Sequence, residues 1–251
     1  MSPKIRAVVF VISAIATFVV LVDASLGLDH FGSFTGAYSS MLLSVATKER
    51  HVLNVPSAVN FDYRGFDTLG EEYIFFAAVL GVLLIFGALH GSSTEHAGPM
   101  ETREMPRETS AVVWIVAGLL PFLAAMAMDI GAHGQLTPGG GFQGGAVFAS
   151  AVACIYLGLG LPAMFRVVRE HFVDVLESLG ALSFVGIGVG TLIATGAFLK
   201  NALPLGKTGE TVSGGTIYVL SCAVFLEIAC GLALLLVTFL KQMRKQGEDQ
   251  Q

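Results

Sequence analysis

Residues 129–145 read DIGAHGQLTPGGGFQGG and lie between two long apolar runs. Pro138 followed by Gly139, Gly140 and Gly141 stops one helix and frees the backbone, while Gly144 and Gly145 fall in the first turns of the next. Gly140 with Gly144, and Gly141 with Gly145, form two overlapping small-xxx-small pairs. That spacing lets apolar helices touch backbone to backbone in lipid. Two readings of the joint stand at this point: tight packing with no chemistry, or a shaped backbone beside a functional carboxylate, Asp129.

The rest of the composition says what solvent surrounds this joint. Hydrophobic residues make up 54% of the 251, charged residues only 13%, and the mean hydropathy is +0.73. These values exclude a water-soluble fold and point to an all-α integral membrane protein. The net charge of -5 comes with no basic patch for nucleic acid. Cys154, Cys222 and Cys230 lie inside apolar runs without CxxC spacing. They read as small core residues, so neither a disulfide framework nor a metal or cofactor site is expected.

A helix of about 20 residues crosses the hydrocarbon layer, and six stretches qualify: 5–22, 69–90, 111–130, 142–163, 176–199 and 215–240. An even number of spans puts both termini on one side. Lys4, Arg6, Arg103, Arg107, Arg166, Arg169, Lys241, Arg244 and Lys245 collect there, against Lys48, Arg50, Arg64, Lys200 and Lys207 on the other side. The positive-inside rule therefore makes both termini cytoplasmic. The polar run GSSTEHAGPMETREMPRET divides a two-span front piece, 1–90, from a four-span piece, 111–240, with 91–110 as linker and 241–251 as polar tail. Within the outer segment 23–68, residues 36–45 (GAYSSMLLSV) suit a short interfacial helix, but an ordered connecting loop is the simpler expectation.

Acidic residues inside apolar spans are costly and mark candidate ion-path positions. The second span opens with FDYRGFDTLGEEYIFF, residues 61–76. Asp67 and Thr68 offer N-cap oxygens, and Glu71 follows Asp67 on the same helical face, with Arg64 upstream as a counter-charge. Glu72 reads as a solvated first-turn acid. Asp129 ends the third span and shares a face with His133, Gln143 opens the fourth and can bond the glycine loop, and Glu177 sits just inside the fifth. In the fifth span GIGVG, residues 186–190, thins the helix for a close neighbour, and Lys200 follows where it can snorkel. Glu227 lies about midway along the sixth span, where an ionised acid costs a few kcal/mol. It must be paired, protonated, or facing water or another subunit.

Two of these stretches carry a family resemblance. TPGGGFQGG with the following AVFASAVACIYL, and FLKNALPLGKTGETVSGGT further on, resemble the B subunit of Mrp-type multisubunit cation/proton antiporters. The front piece, with DYRGFDTLGE leading into a span, is similar to the C-terminal end of the large A subunit of those complexes. Related subunits occur in membrane-bound hydrogenases, and the ending SGGTIYVLSCAVFLEIACG leans toward that branch. The resemblance implies that Asp67 and Glu71 match the motif's acidic pair, and that Pro138, Gly139, Gly140, Gly141 and Phe142 match the glycine joint.

The expected function is a small membrane subunit of a Na+ or other monovalent cation/proton antiporter, lining part of the ion path and helping assembly. Its expected partners are other subunits, membrane lipid, monovalent cations and protons. The alternatives are a membrane-arm subunit of a redox-driven complex such as a hydrogen-evolving hydrogenase, and a purely structural scaffold. None makes the chain an enzyme by itself.

Overall fold

The computed structural model describes residues 3–28, 36–91 and 110–248. They form nine α-helices: α1 (Pro3–Leu26), α2 (Ala37–Arg50), α3 (Val55–Ala58), α4 (Gly65–Gly91), α5 (Ser110–Ala132), α6 (Gly141–Leu159), α7 (Leu161–Val167), α8 (Glu170–Thr195) and α9 (Thr216–Glu248). A π-helical turn, Val59–Tyr63, separates α3 from α4. No strand occurs among the described residues. α1, α4, α5, α6, α8 and α9 are long and apolar enough to cross a membrane. The protein is a multi-pass membrane protein.

The chain falls into two compact units, residues 1–41 and 42–251. In the second unit α9 is the central element. Half of its apolar window is buried, more than for any other span, and it packs against α4, α5, α6 and α8. Its face contributes Ile217, Leu220, Val224 and Ile228 to a core completed by Phe61 from the π turn and Phe184 from α8.

Lipid is as apolar as these side chains, so the hydrophobic effect does not drive one span onto another. Close backbone approach and dispersion do. Glycine supplies the approach along α9. A Cβ on Gly145 would lie 2.9 Å from the Ala229 nitrogen, and one on Gly180 of α8 would lie 2.7 Å from the Glu227 nitrogen. A Cβ on Gly144, one position back from Gly145, would meet the Ala127 carbonyl and the Gly131 nitrogen of α5 at 2.7 Å. The two faces of one glycine cluster thus seat α6 against α5 and α9 together.

Several sequence expectations shift. Residues 37–50 form helix α2, not a loop. α6 ends at Leu159, before 163, because Gly160 turns the chain at φ 78° and Pro162 opens α7. α8 starts at Glu170 and stops at Thr195, where Gly196 adopts the left-handed conformation. Pro121 lies within α5 without ending it. α9 continues through the expected tail to Glu248. The stretch 186–190 takes no close helix: Gly186 and Gly190 have nothing within 4 Å of an added Cβ, and only Gly188 is covered, by Phe198 and Leu199. The expected linker lies, but for its ends, outside the described residues.

Candidate functional site

α3, the π turn, and the first turns of α4 and α6 meet around a cavity of about 460 Å³. It brings together the two stretches that the sequence singles out. Pro138, Gly139, Gly140, Gly141, Phe142 and Gln143 form one wall, and Thr68, Glu71 and Glu72 form the other. Asn54, Ser57 and Asn60 close the side, and Val224 of α9 lies at the base.

The glycine wall is a piece of backbone held from outside itself. Gly139 and Gly140 have φ of 138° and 152°, a region that side-chain-bearing residues avoid. Gly141 follows as the first residue of α6, and a Cβ there would sit 2.8 Å from the Phe225 nitrogen of α9. The amide of Asn54 donates to the carbonyls of Gly134 (2.6 Å), Thr137 (2.9 Å) and Gly139 (3.3 Å). Ser57 donates to Gly134 as well, at 2.5 Å. In return the Gln135 carbonyl accepts from the Leu53 and Asn54 N–H groups, both at 3.0 Å. This clasp, which sequence reasoning missed, is what holds the loop. Gln143, expected to bond the loop, instead lays its side-chain oxygen over Gly140.

The acid wall redistributes the expected roles. α4 begins at Gly65, so Asp67 lies inside the first turn and pairs with Arg64. Arg64 is therefore committed to Asp67 and not to Glu71. Thr68 is no cap either: its hydroxyl donates to the Asn60 carbonyl at 2.7 Å. Glu71 is exposed and lines the cavity. Glu72, expected to be solvated, is only 3% exposed, and its Oε2 has no hydrogen-bond partner. Adjacent helical residues point about 100° apart, and that rotation turns Glu72 inward to α9.

Glu227 is fully buried, and neither of its oxygens receives a hydrogen bond from a described donor. Its polar neighbours are acids: the Glu72 carboxyl is within hydrogen-bonding reach, and Glu177 of α8 lies in electrostatic range. Glu177, 2% exposed, directs Oε1 against Gly231, one turn beyond Glu227. Glu72 of α4, at the cavity, thus adjoins Glu227 of α9, which has Glu177 of α8 in electrostatic range. Eleven residues separate Glu227 from the start of α9 at Thr216, roughly 16 Å of helix at 1.5 Å per residue. That is about half of a hydrocarbon layer of ~30 Å.

Asp129 stands apart. Its side chain is 68% exposed and pairs with His133 at 2.8 Å, as the shared face predicts, and neither residue lines the cavity.

Above the site a second polar cluster ties the loop before α9 to the π turn. Asp62 pairs with Arg50 and accepts from the Asn201 amide at 3.2 Å. Asn201 also donates to the Gly214 carbonyl at 2.8 Å and accepts from the Thr216 N–H at 2.8 Å. Arg50 stacks over the Tyr63 ring. Burial, then the hydrogen bond to Glu49, push the Tyr63 phenol above its ordinary value.

The described residues hold no group of three or more His, Cys, Asp and Glu arranged for a metal ion. What the arrangement offers chemically is a polar, oxygen-lined mouth leading to carboxyls that lack basic partners.

Comparison with known proteins gives one family match and several relatives. Residues 110–234 match the model for a domain related to the MnhB subunit of Na+/H+ antiporter. Over 197 residues the chain is 29% identical to an uncharacterized protein of Methanocaldococcus jannaschii, covering 72% of this chain and 74% of the relative. The fold is similar to a chain in the structure of the membrane-bound sulfane sulfur reductase, an archaeal respiratory membrane complex. There the TM-score is 0.71 and the identity 24%, over 94% of this chain and 98% of that one. It is equally similar to a chain of the Mrp complex from Dietzia sp. DQ12-45-1b, with TM-score 0.71 and 20% identity over 95% of this chain. It spans 26% of that longer chain. α5, α6, α8 and most of α9, which carry the glycine joint and two of the three buried acids, lie in the part of the chain that matches the model for a domain related to the MnhB subunit of Na+/H+ antiporter.

Proposed function

We propose that the chain is an ion-path subunit of a multisubunit monovalent cation/proton antiporter in the cell membrane. The observation that carries this reading is the cavity that joins Glu71 and the glycine joint at one end of the spans, with buried, unpaired carboxyls directly below it. Hard oxygen ligands of this kind suit a monovalent cation or a proton. By the positive-inside rule the cavity opens away from the cytoplasm, since it lies at the end that carries Arg50 and Arg64, and both termini are cytoplasmic. Proton and cation movement between this mouth and the other face would pass to other subunits of the complex, and the chain itself would carry no catalytic centre. The front piece and the four-span piece act in this reading as one unit, because the cavity takes one wall from each.

A second reading has its own support. The sulfane sulfur reductase chain is matched over nearly its whole length, whereas the Mrp chain is matched over about a quarter. In this reading the same ion path serves a complex driven by electron transfer in partner subunits.

The test is cation-driven proton movement in everted membrane vesicles from cells carrying the wild-type chain or Glu71→Gln, with assembly of the complex checked on native gels. The proposal expects the variant to assemble and lose the activity. Full activity in the variant sinks the role of the cavity. Activity that needs a reductant, with redox subunits co-purifying, selects the second reading.

A further inference from the structure

Resting on the ion-path reading, we infer that the Glu72–Glu227 carboxyl pair is an exchange site that holds either one proton or one dehydrated monovalent cation. Glu71, at the mouth, would serve as its antechamber.

The geometry has three parts. First, the two side chains come from different helices, α4 and α9, and reach each other inside the protein. Glu72 borders the cavity with an unpartnered, buried oxygen, so the pair has access to whatever the cavity holds. Val224 lines the cavity base, and Glu227 follows three residues later on the same face of α9. Second, no basic group among the described residues pairs with either acid. The ion pairs of the described residues join Arg50 to Asp62, Arg64 to Asp67, His133 to Asp129, Lys207 to Glu210 and Lys241 to Glu170. The groups in electrostatic range of the pair are Glu71 on α4 and Glu177 on α8, and Glu177 in turn lies near Asp174 and Cys230. At this depth α6 contributes Gly145, against Ile228 and Ala229. Third, α8 packs directly on the turn that carries Glu227: a Cβ on Gly180 would lie 2.7 Å from the Glu227 nitrogen.

Two buried like charges in contact cannot both stand without a compensating positive charge. One proton between the two carboxyls supplies it and turns an acceptor pair into a hydrogen bond, leaving the pair at a net charge of -1. A monovalent cation in place of that proton leaves the same net charge. Exchange is therefore neutral for the surrounding low-dielectric interior, and simultaneous occupancy or complete vacancy is not. In the step, the O–H bond of the protonated carboxyl breaks with its electron pair staying on oxygen. The proton leaves for the cavity water, and the cation takes up the carboxylate oxygens.

The experiment adds NaCl, with choline chloride as the control, to the purified complex in weakly buffered detergent. It reads proton release with a pH indicator and the buried carboxylic-acid C=O stretch by infrared difference spectroscopy. The wild-type complex is expected to release about one proton per bound Na+ and to lose carboxylic-acid absorption. Glu72→Gln and Glu227→Gln, each isosteric, are expected to assemble and release none. Proton release at the wild-type level in both of those variants, or Na+ binding without release in the wild type, overturns the pair. Each complex is also assayed for transport in vesicles. Intact transport with no release rejects the exchange site and leaves the ion-path reading standing, while absence of any cation-driven proton movement in the wild type rejects that reading and the pair with it.

Discussion

The two walls of the cavity are built from opposite materials. The wall of Pro138 to Gln143 is backbone, shaped by glycines that a positive φ or a close neighbour holds to glycine and fastened by the Asn54 amide. The α4 wall is side chain, a run of acids whose roles depend on a rotation of about 100° per residue. The first wall sets the shape, and the second sets the chemistry. A change in the glycine wall should therefore damage assembly and transport together, and a change in the acid wall should damage transport alone.

The most severe break of this division is Gly144→Leu. Its side chain would be forced into the backbone of α5 at Ala127 and Gly131, and overpacking of this kind costs about 1–3 kcal/mol or more. The complex should fail to assemble on native gels, and accumulation of an intact complex would show that α5 and α6 separate more freely than the packing allows. Next come the acids. Glu227→Gln should leave the complex assembled and abolish cation-driven proton movement, whereas a scaffold role would leave transport untouched. Asn54→Ala sharpens the comparison, because it leaves three loop carbonyls without their shared donor. The hydrogen bonds lost are worth about 0.5–1.5 kcal/mol each, so the melting temperature of the purified complex should fall and transport should weaken without vanishing. An unchanged melting temperature would mean that the loop holds itself. The smallest effect belongs to Gly186→Ala, which faces open space. Its thermal stability should stay within about 0.5 kcal/mol of wild type, and a large loss would reveal a partner helix of another subunit seated there.

The contrast also explains what could be read in advance. The six spans follow from apolar run length, and the glycine joint from a proline and a glycine run that admit few other structures. Adjacent glycines are also easy to over-read: 141, 144 and 145 pack, and 186 and 190 do not, although both stretches show small-residue spacing. Which glycines meet a neighbour depends on helix order, and the sequence does not reveal that α9 lies against α6 and α8. The same gap hid the exchange pair. Glu71 and Glu72 are adjacent, and only the direction of α9 decides that Glu72 turns inward. Asn54 and Ser57 gave no signal at all, since their partners lie 77 or more positions away. Asp129 is the reverse case, an acid at a span end whose exposed side chain pairs with His133, as the i, i+4 spacing predicts.

The claim at the centre of this account is that acids facing the cavity and α9 carry the ion and acids facing outward do not. Cation-driven proton movement in everted vesicles, measured side by side for Glu71→Gln and Asp129→Asn at matched levels of assembled complex, tests it most directly. The account predicts loss in the first and wild-type rates in the second. Equal rates in both, or loss confined to Asp129→Asn, would contradict it.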